Sequence, residues 1–221
     1  MPAMDLSLPG CRREARAVIP PRADPDKVSR YVFHAEDCLL LVVDIQESLR
    51  LTVDPRVLKD VIGNVRSLVE VGRSSCMGVV VGELDPHRNG RTVGELDDVL
   101  GDTPRVPRST LSCWVHGRLR SGIRAAGKRT VLVTGAQAHL SVLRTVTDLL
   151  LTGHNPVVVA DAVCSANPLH HALALTAMAG AGAVVYPAET VLWMLADDRE
   201  KDACCEASFH PRVRPAPDLG R

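Results

Sequence analysis

The segment Thr130-Val-Leu-Val-Thr-Gly-Ala-Gln-Ala-His-Leu-Ser-Val-Leu-Arg-Thr145 decides the fold of this 221-residue chain. It begins with a short apolar run rich in β-branched residues, which is typical of a parallel strand covered on both faces. Gly135 follows and permits a turn that a side chain would resist. The residues beyond the turn predict a helix, because one helical face collects Val142, Thr145, Val146, Leu149 and Leu150.

Ser141 falls in the first turn of this predicted helix. Its side chain is therefore expected at the carboxyl end of the strand, beside unpaired backbone N–H groups. Open parallel sheets bind their ligands at this edge. Ordinary α/β scaffolding explains the segment equally well on its own, so any functional interpretation depends on the rest of the chain.

A second strong signal is Cys38-Leu-Leu-Leu-Val-Val-Asp44, in which six apolar residues lead directly into a carboxylate. The pattern predicts a central strand with Asp44 at its carboxyl end, although an Asp that caps the next helix is an alternative. Right-handed crossovers bring Asp44 and Thr134 to one edge of the sheet if their strands are neighbours.

Strands and helices alternate along the rest of the chain. We predict strands at 77–81, 156–161 and 183–186, a short extended segment within 105–114, and helices at 55–72, 93–100, 119–126, 168–179 and 189–196. This alternation predicts an α/β fold of three layers (α/β/α), with a doubly wound, mostly parallel central sheet of Rossmann-like type. We expect an extended or partly disordered arm at 1–36, one domain at 37–197 and a loose tail at 198–221.

Composition excludes several classes of partner. Lys+Arg and Asp+Glu both number 26, and the zero net charge argues against nucleic acid or an anionic membrane. No apolar run is long enough to span a bilayer, and no apolar block follows the charged N-terminus as in a secretory signal. The seven scattered cysteines favour free thiols in a reducing compartment. We therefore expect a cytoplasmic protein whose partner is a small-molecule substrate or ligand.

Four segments, taken in order, resemble the isochorismatase-like hydrolase family, also called the cysteine hydrolases. They are Leu40-Leu-Val-Val-Asp-Ile-Gln46, Arg108-Ser-Thr-Leu-Ser-Cys-Trp114, Gly135-Ala-Gln-Ala-His-Leu-Ser141 and Val157-Val-Val-Ala-Asp-Ala-Val-Cys-Ser165. The resemblance covers residues 38–195 and is specific to the family but not to a substrate. Residues 147–153 and 92–96 are most similar to the small "isochorismatase domain-containing" branch.

The resemblance implies a catalytic triad of Asp, Lys and Cys, in which the Cys thiolate attacks an amide or related carbonyl. Asp44 matches the family Asp, but Arg108 stands at the Lys position and Ser141 at the Cys position. The resemblance also implies self-association into homo-oligomers and a cis peptide bond near Ala136-Gln137, which would aim backbone N–H groups into an oxyanion site. No cofactor is expected.

Both substitutions weaken the implied nucleophile. A thiol ionises with modest help from a nearby cation, whereas a serine hydroxyl needs a positioned general base. Arg108 stays protonated and cannot be that base, and an ionised Asp44 beside a cation is a poor one. Arg108 nevertheless keeps a fixed positive charge, and its fork can hold a carboxylate with two hydrogen bonds.

Three hypotheses follow from these three residues. In the first, the chain is a hydrolase that works through Ser141, with Asp44 as base and Arg108 as electrostatic support. Alternatively, Asp44 donates a proton to a vinyl ether, as is thought for isochorismate-cleaving relatives, and Arg108 anchors an anionic substrate. In the third, the chain has weak or no cysteine-hydrolase-type activity and is kept for binding or assembly. The third is favoured, because the altered positions are those that make the nucleophile.

The remaining candidates are expected to line the substrate pocket: Gln46, Trp114, Ala136, Gln137 and His139. Gln46 is expected to hold the Asp44 loop by hydrogen bonds, and Trp114 lines the pocket or belongs to the core. His139 is a candidate base for Ser141, but side chains two residues apart on a helix point away from each other, which favours a structural role.

A metal site is not expected. Asp85 and His87 have the spacing of the metal-binding relatives, but their surroundings do not match and no further His occurs before His116. Cys113 lies next to the predicted site and is interpreted as an inert buried thiol.

Overall fold

The computed structural model describes residues 28–196, and its six described strands form one parallel sheet. The strand order is β3-β2-β1-β4-β5-β6, and every described pairing is parallel. The predicted doubly wound α/β fold is confirmed. The strands are β1 Cys38–Val43, β2 Gly78–Leu84, β3 Arg105–Arg108, β4 Thr130–Ala136, β5 Asn155–Cys164 and β6 Val184–Tyr186.

Helices cover both faces of the sheet and make it the middle of three layers. They are α1 Pro55–Ser74, α2 Pro86–Asn89, α3 Asp97–Leu100, α4 Gly117–Ala126, α5 Leu143–Leu151, α6 Pro168–Ala181 and α7 Ala188–Leu195, with a π-helical turn at Ala138–Val142. One core lies under α1 and α7, and the other lies under α4, α5 and α6. None of the helices within residues 28–196 has the length and apolar character needed to cross a bilayer.

The two strands that dominate the sequence, β1 and β4, are neighbours at the centre of the sheet. Their register pairs Cys38 with Thr130 and Val43 with Gly135. All residues of both strands are buried, so alternate side chains of β1 enter opposite cores: Leu40 enters the core under α1, and Leu41 enters the core under α4 to α6. This adjacency brings the ends of both strands to one edge.

Local signals set several helix boundaries as predicted. Asp54 caps α1 by accepting hydrogen bonds from the N–H groups of Arg56 and Val57, and Pro55 occupies the first turn. Helix α4 ends at Gly127, whose left-handed backbone (φ +66°) suits a glycine.

Two boundary predictions were wrong. Gly135 does not break the strand, because β4 continues through Ala136 with Gly135 at φ +130°. Asp161 does not end a strand either, because β5 runs on to Cys164. The Asp161 carboxylate accepts a hydrogen bond from the Ala188 N–H at 2.6 Å, so it caps α7 rather than lining the functional edge.

The N-terminal arm predicted for residues 1–36 can be followed only from residue 28 onward. Phe33 and Ala35 are buried in the core under α1, and Asn155 donates a hydrogen bond to the Arg30 carbonyl. This last part of the arm therefore packs on the domain. Residues 1–27 and the tail predicted at 198–221 lie outside the described residues, and the domain boundaries stay a prediction.

Gly135→Ala tests the contact between β4 and β1. A Cβ at Gly135 would overlap the Val43 carbonyl oxygen, and its φ disfavours any side chain. We expect a loss of about 3 kcal/mol or more in the free energy of unfolding, measured by urea denaturation. Gly63→Ala, in α1 with open space around it, is the control and should gain about 0.5–1 kcal/mol. Equal effects of the two variants would contradict this interpretation.

Candidate active site

Three side chains meet at the carboxyl edge of the sheet. Asp44 follows β1, Arg108 ends β3, and Ser141 lies in the π-helical turn after β4. The solvent-exposed fractions of Asp44, Arg108 and Ser141 are 6%, 4% and 2%. The edge is where parallel sheets bind ligands, but the three side chains themselves are almost closed off from water.

The backbone of Asp44 is held in the left-handed region at φ +54°. Its N–H donates to the Gly82 carbonyl of β2 at 3.0 Å, and its own carbonyl accepts from the Gln46 N–H at 3.0 Å. Asp tolerates this conformation better than most residues. The turn directs the chain away from β1 while keeping Asp44 near the end of the neighbouring strand.

Each nitrogen of the Arg108 guanidinium donates a hydrogen bond within the protein. Its Nη2 donates to Asp44 Oδ2 at 2.8 Å, its Nη1 donates to the Thr110 carbonyl at 2.9 Å, and its Nε donates to Cys113 Sγ at 3.4 Å. The side chain has no solvent exposure. Three of the five N–H groups of Arg108 are therefore bonded within the protein, and burial keeps the guanidinium away from solvent.

Gly82 of β2 leaves the space that lets Arg108 reach Asp44 across an intervening strand. A Cβ on Gly82 would lie 3.2 Å from Cys113 Sγ and 3.6 Å from Arg108 Nε. The crossing is necessary because β2 lies between β3 and β1 in the sheet. A side chain at Gly82 would crowd Cys113 and Leu119 next to the ion pair, so the packing here favours a glycine.

Burial raises the pKa of Asp44 above its usual range, and this effect outweighs the opposing attraction of Arg108 and smaller contributions from the Ser141 hydroxyl and the Leu84 N–H. Among the described residues, Asp44 Oδ1 has no hydrogen-bond partner. Burial lowers the pKa of Arg108, but Cys113 and Asp44 more than offset it, so the net pKa is raised and the guanidinium stays charged. Asp44 is thus the group of this pair that can exchange a proton.

Ser141 lies close enough to Asp44 for its hydroxyl to favour the ionised carboxylate, without a hydrogen bond to Oδ1. The peptide bond Ala136-Gln137, just before the turn, is cis, as the resemblance implied. No imidazole is hydrogen-bonded to Ser141 within residues 28–196. The imidazole of His139 instead shares a hydrogen bond of 3.0 Å with Ser165 and lies 4.7 Å from the ring of His170.

The other predicted pocket residues have structural contacts. Gln46 donates to the carbonyls of Leu84 and Gly90 and accepts from the Leu84 N–H, which ties the loops after β1 and β2 together. Gln137 accepts from the Ala166 N–H, and Ala136 is fully buried at the end of β4. These bonds support the turn on which Ser141 lies.

Trp114 lies in the core under α4 to α6 rather than against the three site residues. Its ring meets His154 edge-on at 4.9 Å, and the Arg124 guanidinium lies 5.3 Å from its centre. The core alternative given for Trp114 describes this position better than the pocket alternative.

Cys113 was placed beside the site by sequence, but its direct contact with Arg108 could not be inferred. The thiol is fully buried, and burial raises its pKa, so it stays protonated as an inert partner of the guanidinium. Asp85 precedes the short helix α2, which contains His87. No cluster of three or more metal-binding side chains occurs within residues 28–196.

Comparison with known proteins identifies the family. The isochorismatase domain matches residues 38–190, and the chain belongs to this family. It is 30% identical over 179 residues to the secreted isochorismatase effector Isc1 of Phytophthora sojae, covering 78% of this chain and 82% of that protein. It is 29% identical to isochorismatase domain-containing protein 1 of Salmo salar, covering 71% of this chain but only 54% of that protein.

A solved structure supports the fold alone. The YcaC gene product of Escherichia coli, described as an octameric hydrolase of unknown specificity, aligns with a TM-score of 0.71 and 21% identity. The alignment covers 80% of this chain and 88% of that chain. The shared architecture therefore extends over most of the described domain.

Breaking the Asp44–Arg108 pair from either side should have unequal consequences. Asp44→Asn leaves a buried charge uncompensated and should cost about 3–5 kcal/mol of unfolding free energy. Arg108→Met should cost less, because Asp44 can take up a proton. The double variant should lose less unfolding free energy than the sum of the losses in the two single variants. A double-mutant cycle by urea denaturation measures this coupling. Additive losses would contradict a direct pair.

The cost of Arg108→Met should also depend on pH. Without Arg108, the folded-state pKa of Asp44 rises further above its unfolded value of about 3.9. An acid with a raised folded pKa stabilises the fold below the unfolded pKa and loses that contribution as pH rises towards the folded pKa. The variant should therefore be closer to wild type at pH 4 than at pH 8. Arg118→Met, at an exposed site on α4, is the control and should show no such dependence.

Proposed function

We propose that this chain is an isochorismatase-like protein with weak or no cysteine-hydrolase-type activity. The observation that supports this proposal is that the acid nearest Ser141, Asp44, is paired with a buried guanidinium and is therefore a poor base. Ser141 stands where the family resemblance places the Cys, and its polar neighbour Asp44 is paired with Arg108 at 2.8 Å. A serine hydroxyl requires a base that is oriented towards it, and neither Arg108 nor the distant contacts of His139 supply one.

Asp44 supports a second candidate function, the protonation of a vinyl ether. Burial raises the pKa of Asp44 and so favours its protonated form more than in an exposed Asp, and Oδ1 has no hydrogen-bond partner among residues 28–196. A carboxylic acid of this kind is suited to donate a proton to carbon. In this second candidate Arg108, which already donates to Asp44, Thr110 and Cys113, would contact the substrate anion only through its remaining N–H groups.

Turnover measurements on four forms of the chain separate these possibilities. We expect no measurable hydrolysis of small amides by the wild type. Restoring the thiol and the amine together, Ser141→Cys with Arg108→Lys, should raise amide turnover about tenfold or more above that background if the site still admits substrate. Each protein is checked for its melting temperature, so that loss of the fold is distinguished from loss of chemistry.

The single variants identify which residue carries any activity found. Amide hydrolysis by the wild type that Ser141→Ala abolishes would overturn the proposal in favour of a serine nucleophile. Cleavage of isochorismate that survives Ser141→Ala but is lost in Asp44→Asn would favour proton donation by Asp44 instead.

We also propose that the chain self-associates through α6. This helix contains no Asp, Glu, Lys or Arg, yet only Ala174 and Met178 are buried. Leu169 and Leu173 remain 62% and 58% exposed. An exposed leucine pair on a helix without charged residues is suited to be covered, and a second copy presents the same surface. The YcaC gene product of Escherichia coli, which shares this fold, is octameric, and this supports the proposal.

Sedimentation velocity tests the self-association. Leu169→Glu combined with Leu173→Glu should shift the protein towards monomer, because charges would be buried in the contact. Leu151→Glu is the matched control, since Leu151 is 78% exposed at the end of α5, and it should leave the assembly unchanged. A monomeric wild type, or equal effects of both substitutions, would contradict the role of α6. The cytoplasmic location stays a proposal, supported by the odd number of cysteines.

A further inference from the structure

A second cavity lies at the opposite edge of the sheet from Asp44. It occupies about 530 Å³ beside Thr130 and Asn155, which begin β4 and β5. Its walls include two arginines and a histidine, and none of the residues that line it is acidic. In a chain with equal numbers of acidic and basic residues, this cavity concentrates positive charge.

Arg30 has an unmet hydrogen-bonding requirement in this cavity. Its Nε is buried and has no hydrogen-bond partner among the described residues. The carbonyl of Arg30 accepts a hydrogen bond from the Asn155 side chain at 2.9 Å, which fixes the turn that carries Arg30 against β5. A buried donor without a partner is uncommon, and an oxygen-rich ligand would satisfy it.

Arg129 provides the second charge, from the segment just before β4. Its side chain is exposed and forms no ion pair within residues 28–196. The nearby charges of Asp37 and Lys128 influence the pKa of Cys38 at the start of β1, and neither residue lines the cavity. The two arginines therefore come from separate segments and line one cavity that has no carboxylate among its lining residues.

His154 adds a polar wall without a charge. Burial lowers the pKa of His154, and the positive charge of Arg124 lowers it further. A hydrogen bond with the backbone of Leu149 opposes these effects but does not cancel them. Its Nδ1 shares a hydrogen bond of 3.1 Å with Thr152. Tyr31 and Leu150 form an apolar part of the same wall. The cavity thus combines fixed positive charge with a surface for an organic group.

We propose that this cavity binds the phosphate monoester of a small organic molecule. Arg30 and Arg129 contact the phosphate oxygens, and the organic group packs on Tyr31 and Leu150. A phosphate dianion has three acceptor oxygens and can accept hydrogen bonds from two guanidinium groups at once. A single carboxylate has only two oxygens. The site is separate from the Asp44–Arg108 pair and does not depend on the function proposed for that pair.

Isothermal titration calorimetry on the full chain tests the site with phenyl phosphate as the probe. Phenyl phosphate should bind, inorganic phosphate should bind more weakly, and phenol should not bind. Arg30→Gln and Arg129→Gln should each weaken phenyl phosphate binding about tenfold or more. Arg118→Gln, which removes an exposed charge from α4, should bind like the wild type.

Several results would overturn the proposal. These are no binding to the wild type, equal weakening by Arg118→Gln and Arg129→Gln, or equal affinities for inorganic phosphate and phenyl phosphate. Unchanged melting temperatures of the variants show that lost binding is not lost folding. Vesicles of phosphatidylcholine with phosphatidic acid distinguish a lipid headgroup from a free monoester, and cosedimentation of the protein with them would contradict a small-molecule ligand.

Discussion

The buried ion pair between Asp44 and Arg108 is the interaction on which the candidate site depends. Two charges that are almost sealed from water cost several kcal/mol each to desolvate, so the pair persists only where its geometry is well supported. The support comes from three strands: Asp44 turns out of β1, Arg108 ends β3, and Gly82 of β2 leaves room between them.

The same pair limits the chemistry available to Ser141. In a cysteine hydrolase, as the family resemblance implies, a cation favours a thiolate and an acid moves protons. Here the cation is bound to Asp44, Thr110 and Cys113, and the group beside the acid is a hydroxyl. The layout of the family is therefore retained, while the two groups that would create a strong nucleophile are different. Proton exchange at Asp44 is the chemistry that the remaining groups favour.

The central part of the fold could be predicted from sequence because it depends on local patterns. The uninterrupted apolar runs of β1 and β4, the Asp54-Pro55 start of α1 and the glycine after α4 each carry a physical signal within a few residues. The end of β4 could not be predicted in this way. Gly135 looks like a strand terminator, but pairing with β1 and β5 keeps it in the sheet.

The site residues could be named from sequence, but their contacts could not. No local pattern links Arg108 to both Asp44 and Cys113, because the link crosses a strand that is distant in sequence. Asp161 has the same position after an apolar run as Asp44, yet it caps α7. The cavity at the amino edge was missed because Arg30, Arg129 and His154 are far apart in the chain. Only the strand order brings them together.

Covalent labelling of Ser141 tests the central claim most directly. The full chain is treated with a reactive fluorophosphonate, and the modified residue is located by peptide mass spectrometry. Ser141→Cys treated with iodoacetamide reports whether reagents reach this position. When the cysteine of the variant is alkylated, and the position is thereby shown to be reached, the account predicts no phosphonyl adduct on Ser141 in the wild type. An adduct on Ser141 would show an activated hydroxyl and would contradict the account.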